Sequence, residues 1–110
     1  MAKKETAATA LMVKIMMNDK GSPTGKLADA ELHFTDGPLA GLRLLGFAVW
    51  ERRTGAGRNV TFPARTYSVN GERRSFALLR PVSENTAQDR IRDLVLAAYA
   101  ETETAAINAA

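Results

Sequence analysis

PVSENTAQDRIRDLVLAAY, residues 81–99, is the stretch whose reading decides the fold. Ile91, Leu94, Val95, Ala98 and Tyr99 recur at i, i+3, i+4, i+7 and i+8, which draws one apolar stripe along an α-helix. Pro81 bars the helix from extending upstream, because its ring removes a donor and clashes with the preceding turn. Thr86 with Asp89, or equally Asn85 with Gln88, supplies the capping pair that starts it. Everything before Pro81 reads as short extended segments broken by Gly, Asn and Pro. A helix with one apolar face, preceded by strands, implies a helix laid on one side of a sheet.

Working outward, Ser75–Arg80 (SFALLR) is expected to be the last strand, feeding the helix through Pro81. Arg65–Arg74 reads as a basic loop centred on Asn70-Gly71, the strongest short hairpin signal available. Val60–Pro63 is short and extended, and Pro63 denies a ladder its donor, so this is an edge strand or a strand end. Glu51–Asn59 (ERRTGAGRN) reads as a flexible basic loop. Leu42–Trp50 (LRLLGFAVW) is nearly all apolar, which predicts a central strand covered on both faces, with Gly46 marking a bulge or a close backbone approach. Leu27–Phe34 alternates, with Ala28, Ala30, Leu32 and Phe34 inward and Asp29, Glu31 and His33 outward. Leu11–Met17 alternates as well and reads as the first strand, although its Met and Ala content also suits a helix.

The expected fold is therefore α+β: an antiparallel or mixed sheet of about five strands with one C-terminal helix on one face. Residues 1–9 read as a flexible tail, 10–100 as a single domain, and 101–110 as a fraying end. A 110-residue chain suits one domain burying roughly two-thirds of its unfolded surface.

Composition narrows the chemistry. Without Cys there is no disulfide framework, thiolate metal site or thiolate nucleophile. His33 is the only His, which removes a His-based metal cluster and leaves no basis for a triad. It falls beside Asp29 and Glu31 on a polar strand face, where solvated surface charge is the ordinary reading. A hydrolase built on these three would need a shared cleft. Gly55-Ala56-Gly57 lacks the Lys-Ser/Thr of a phosphate-cradling loop and reads as a turn. No catalytic residue, metal site, cofactor or small-molecule substrate is expected. No apolar run nears the ~20 residues that span a bilayer. Lys14 interrupts the apolar N-terminal stretch and no cleavage site follows Met17, so a cytoplasmic protein without membrane contact is expected.

Charge is unevenly placed. The net value is +3, and all ten Arg (43, 52, 53, 58, 65, 73, 74, 80, 90 and 92) fall between residues 43 and 92 against only Glu51, Glu72, Glu84 and Asp89. Arginine presents a planar fork that grips phosphate bidentately and stacks on bases. Such clusters are often solvated surface, but here they point to nucleic acid. The groups at 51–59 and 64–74 lie at opposite ends of the strand between them. The second could instead join Arg80, Arg90 and Arg92 at the helix start, with Arg90 and Arg92 expected to face solvent. Of the nearby aromatics, Trp50 and Phe62 read as sheet core, whereas Tyr67 sits in the loop and could stack on a base.

These features in this order resemble the SpoVG (stage V sporulation protein G, or septation protein) family of small bacterial nucleic-acid-binding regulators. The resemblance runs from residue 26 to residue 100 and rests on Phe62-Pro63-Ala64-Arg65-Thr66, Asn70-Gly71-Glu72, Pro81-Val82, Arg90-Ile91 and Val95-Leu96-Ala97-Ala98-Tyr99. It implies a cytoplasmic homodimer formed through the sheet, binding DNA or RNA through the last loop and the helix. Carried onto this chain, that means Arg65, Arg73, Arg74, Arg90 and Arg92, to which the charge reading adds Arg52, Arg53 and Tyr67. The first strand, with only Lys14, the longer 51–59 loop and the extra residues in 66–80 depart from the family pattern. Target sequence and regulatory role therefore do not transfer, and sporulation is not implied. The expected function is that of a small non-catalytic nucleic-acid-binding regulator acting as a homodimer. The alternative is a protein-interaction module that offers the Val60–Phe62 edge to a partner's sheet.

Overall fold

The structure, a computed structural model, describes residues 10–53, 57–84 and 86–109. It is an α+β fold with six strands and one C-terminal helix: β1 (Leu11–Met17), β2 (Lys26–Phe34), β3 (Arg43–Glu51), β4 (Arg58–Thr61), β5 (Ala64–Val69), β6 (Glu72–Ala77) and α1 (Ala87–Ala109). The strands form two antiparallel sheets, β1-β2-β3-β4 and the two-stranded ribbon β5-β6. Among the described residues, no helix is long and apolar enough to cross a membrane. The tail expected over residues 1–9 and most of the glycine turn at 55–57 lie outside the described residues.

The alternation in β1 and β2 sets the inner face of the larger sheet. Ala28, Ala30 and Leu32 are buried, and Leu11, Val13, Ile15 and Phe34 pack against them. Val13 pairs with Leu32 and Ile15 with Ala30, so the two strands present their apolar residues on the same side. α1 packs on this face chiefly over β1, with β3 and β4 also beneath it.

β3 differs from its reading as a strand covered on both sides. The register slips between Ala30 and Leu32, so that Leu44 pairs with Leu32 and Phe47 with Ala30. Leu45 and Gly46 are taken up in the irregularity, and Leu45 is exposed. The bulge therefore delivers both Leu44 and Phe47 to one face, and a continuous apolar run serves a sheet with a helix on one side only. Gly46 has φ +107, and a Cβ there would stand 2.8 Å from the Cβ of the buried Pro63, so both backbone and space demand glycine.

α1 closes the core with Val95 and Tyr99, both buried, and with Ile91 and Leu96 at their flanks. The stripe is rotated from the expected one. Leu94 lies at its exposed margin and Leu96 is inside it. The Thr86 carbonyl accepts from the Asp89 N–H (3.0 Å), consistent with a start at Thr86. Gln88 does not cap backward; its side-chain amide donates to the Leu79 carbonyl at 2.8 Å and pins the helix start to the incoming chain. Asn85, the partner expected for Gln88, lies outside the described residues. The helix also continues past Ala100 to Ala109 instead of fraying. Its added residues are mostly good helix formers, and Glu103 is held by Arg58 of β4.

Candidate nucleic-acid interface

The segment read as a basic loop is the ribbon. Asn70 (φ 53) and Gly71 (φ 82) both sit at positive φ, the conformation of a two-residue type I′ turn whose twist suits two flanking strands. Pairing then runs Val69–Glu72, Ser68–Arg73, Tyr67–Arg74, Thr66–Ser75, Arg65–Phe76 and Ala64–Ala77. The expected last strand at 75–80 therefore lies three residues earlier, at 72–77, because the turn fixes the register. With side chains alternating, one face carries Arg65, Tyr67, Val69, Glu72, Arg74 and Phe76. The other carries Ala64, Thr66, Ser68, Arg73, Ser75 and Ala77. Every residue in both strands except Ala77 is exposed.

On the first face the Tyr67 and Phe76 rings meet edge to face, with centroids 5.8 Å apart, yet each ring keeps about 40% of its surface in solvent (42% and 40%). Arg65 and Arg73 make no ion pair with any described residue. Arg74 is held 3.0 Å from Glu72, in a pair exposed on both sides. Such a pair is worth about 0–1 kcal/mol and exchanges readily for a phosphate. The three ribbon arginines thus divide between two faces, Arg65 and Arg74 on one and Arg73 on the other.

The group at the helix start is partly neutralised. Arg90 pairs with Glu84 at 3.2 Å, both well exposed. Arg92 pairs with Asp89 and lies over the Phe62 ring, 5.8 Å from its centroid. It is half-buried, not solvent-facing as expected, because the rotated stripe turns it toward the sheet. Phe62 in turn meets Phe47 edge to face at 5.1 Å, which ties β4 to the core. Arg80 is exposed and unpaired among the described residues.

The remaining arginines are distributed elsewhere. Arg58 bridges to Glu103 (2.9 Å) and stacks over Tyr99 at 5.1 Å. Burial pushes the Tyr99 phenol above its ordinary value, Glu103 adds to this, and Arg58 opposes it. Arg43 lies 3.4 Å from Glu31. Arg52 and Arg53 flank the β3–β4 turn, exposed and without ion pairs to described residues. β4 leads through Phe62 and Pro63 directly into β5, so this turn and the ribbon tip lie at opposite ends of one extended path of up to about 40 Å, at ~3.3 Å per residue.

Trp50, read from the sequence as sheet core, is half-buried. Its ring is on the outer sheet face, and its indole N–H donates to the exposed Thr61 hydroxyl at 2.9 Å. Sequence reading missed Phe76, although counting outward from Asn70-Gly71 would have paired it with Arg65.

The outer face of β2 carries the one charge cluster involving His33. The His33 ring N–H donates to Glu31 at 2.8 Å, while Asp29 pairs instead with Lys26 at 2.6 Å. The hydrogen bond from His33 holds the Glu31 carboxyl below its usual range, against some desolvation and with help from Arg43. Glu31 and Asp29 are thus tied to different cations and do not share a cleft. Among the described residues no group of His, Asp and Glu could hold a metal ion.

In comparisons with known proteins, no family model, curated relative or solved structure matches the chain.

Proposed function

We propose that the chain is a small non-catalytic nucleic-acid-binding regulator that acts as a homodimer, with the β5–β6 ribbon as its principal contact. The observation that carries this reading is a two-stranded ribbon exposed on both faces, on which Arg65 and Arg73 have no carboxylate partner among the described residues and stand beside the exposed Tyr67–Phe76 pair. Unpaired guanidinium groups neutralise phosphates, and the ring faces stack on bases. Arg74 and Arg90 extend the basic surface, since their exposed pairs give way to a stronger polyanion. Arg92, stacked and half-buried, acts mainly as structure. The SpoVG-like order of motifs points the same way.

Dimerisation is supported by the bareness of the ribbon. Two strands alone are marginal in water, and packing against a second copy would supply the missing buried surface.

Fluorescence-anisotropy titration with short duplex DNA, single-stranded DNA and RNA over a salt series tests the reading. Micromolar or tighter binding that weakens with salt is expected. No binding to any of the three at low salt overturns it. One observation favours a second reading: β4 is an edge strand of the four-stranded sheet and could receive a partner's strand. In that case salt and the arginine substitutions would matter little.

A further inference from the structure

At the other end of the strand path from the ribbon tip, Thr24 and Gly25 of the β1–β2 turn face the end of β3 and the start of β4 across an open cleft of about 940 Å³. Trp50, Arg52 and Arg53 line it, with Thr24, Asn59 and Thr61 among its polar groups. We propose that this cleft takes one unpaired base together with its phosphate, so that the nucleic acid this chain binds is single-stranded. The proposal rests on the nucleic-acid reading above and goes further by naming the form of the ligand.

Each part of a nucleotide has a counterpart in the cleft. The indole supplies the stacking platform, and the bond from its N–H to Thr61 fixes the plane of the ring before any ligand arrives. Gly25, at φ +88, lies beside the ring, where an added Cβ would stand 4.0 Å from Trp50 Cε3. The Glu51 N–H donates to the Gly25 carbonyl at 2.8 Å, locking the two turns together so that the cleft is preformed. Thr24 and Asn59 offer donors and acceptors to a base edge. Arg52 and Arg53 offer two forks to phosphate, against the single carboxylate of Glu51.

This chemistry selects against a duplex. Paired bases have their faces covered by their neighbours, and extruding one costs a few kcal/mol. Trp50 is held within a cleft by its own hydrogen bond and is not placed to wedge a base pair apart. A hydrophobic ligand is equally unsuited, because the lining is mixed and wide open to solvent. With the ribbon at the other end of the same strand path, a flexible single strand could engage both ends of the molecule at once.

Trp50 is the only tryptophan in the chain, so intrinsic fluorescence reports on the cleft alone. The full chain is titrated with thymidine monophosphate, oligothymidylate and a duplex of the same length, following tryptophan emission and anisotropy of the labelled strands in parallel. Quenching by the mononucleotide and the single strand, but not by the duplex, is the expected result. Arg52→Ala/Arg53→Ala, at two exposed positions, should abolish quenching by the mononucleotide and lower the single-strand salt slope by about 1.4. Trp50→Leu should weaken single-strand binding by roughly five- to a hundredfold. If strands bind by anisotropy while Trp50 emission stays constant, or duplex binds as tightly as single strand, the cleft proposal is overturned and the ribbon reading stands. If nothing binds by anisotropy, both fall.

Discussion

The four-stranded sheet and the β5–β6 ribbon are both built from strands with period-two side chains, yet they treat those side chains in opposite ways. In β2 the alternation separates Ala28, Ala30 and Leu32, all buried, from Asp29, Glu31 and His33. In β5 the alternating partners Thr66, Tyr67, Ser68 and Val69 are all exposed. The difference lies in what covers them: α1 lies on the inner face of the larger sheet, and among the described residues no element covers either face of the ribbon. A strand pair carrying Arg65, Arg73 and Arg74 with two aromatic rings therefore has its apolar and charged groups available to something outside the monomer. The body of the protein holds the fold, and the ribbon keeps its side chains in solvent.

Substitutions sharpen that contrast. The largest expected effect is in the body: Phe47→Ala should lower unfolding free energy by about 3–5 kcal/mol in urea denaturation, since Phe47 is almost wholly buried and bears on both Phe62 and the helix side of the sheet. Gly46→Val should follow, costing ~1–3 kcal/mol because a Cβ at positive φ meets Pro63. Phe76→Ala in the ribbon should cost less than about 1 kcal/mol in a dilute monomer, in keeping with one exposed aromatic pair. A loss comparable to that of Phe47→Ala in the dilute monomer would break the contrast, whereas one appearing only at concentrations where sedimentation detects a dimer would show the ribbon buried between copies and sharpen it.

Smaller effects concern charge. Replacing Arg65 and Arg73 by Ala should leave the melting temperature nearly unchanged, as neither makes an ion pair with a described residue. The salt slope of binding should fall by about 1.4 for single strands or 1.8 for duplex. The least effect is expected at Glu31. Its carboxyl titrates below the ordinary value in the folded state, so the stability it contributes is present above the unfolded value and is lost as pH falls through the folded one. Glu31→Gln should accordingly lower the neutral plateau slightly and so flatten the acid limb of a stability-against-pH curve, leaving stability at the acid end little changed.

Much of the body could be read from the chain. The β1 and β2 boundaries, their inward residues and the start of α1 follow from local periodicity, Pro81 and capping chemistry, all of which act within a few residues. The misreadings share a cause. The apolar run 42–50 looked covered on both faces because composition cannot reveal a register slip, and the slip depends on the partner strand. Leu94 and Leu96 exchanged roles because the face α1 turns inward is set by its packing on β1, β3 and β4, far away in sequence. Arg92 turns toward the sheet for the same reason, and an apolar ring at a strand end, as at Trp50, gives no sign in the sequence of which face it takes.

By itself, then, the sequence determined that β2 and β3 are extended, where the helix begins, that Asn70-Gly71 reverses the chain, and that all ten arginines fall in the middle of it, while 65–74 read as a loop and not as the strands β5 and β6. Those properties depend on φ/ψ preferences and on neighbours a few residues apart. Tertiary structure alone decided which arginines are neutralised, with Arg58 taken by Glu103 across 45 residues and Arg43 by Glu31 across 12, and which remain unpaired, as Arg52, Arg53, Arg65 and Arg73 do among the described residues. Ion pairing and burial depend on distances in space between residues remote in the chain, and these exist only once sheet and helix have packed.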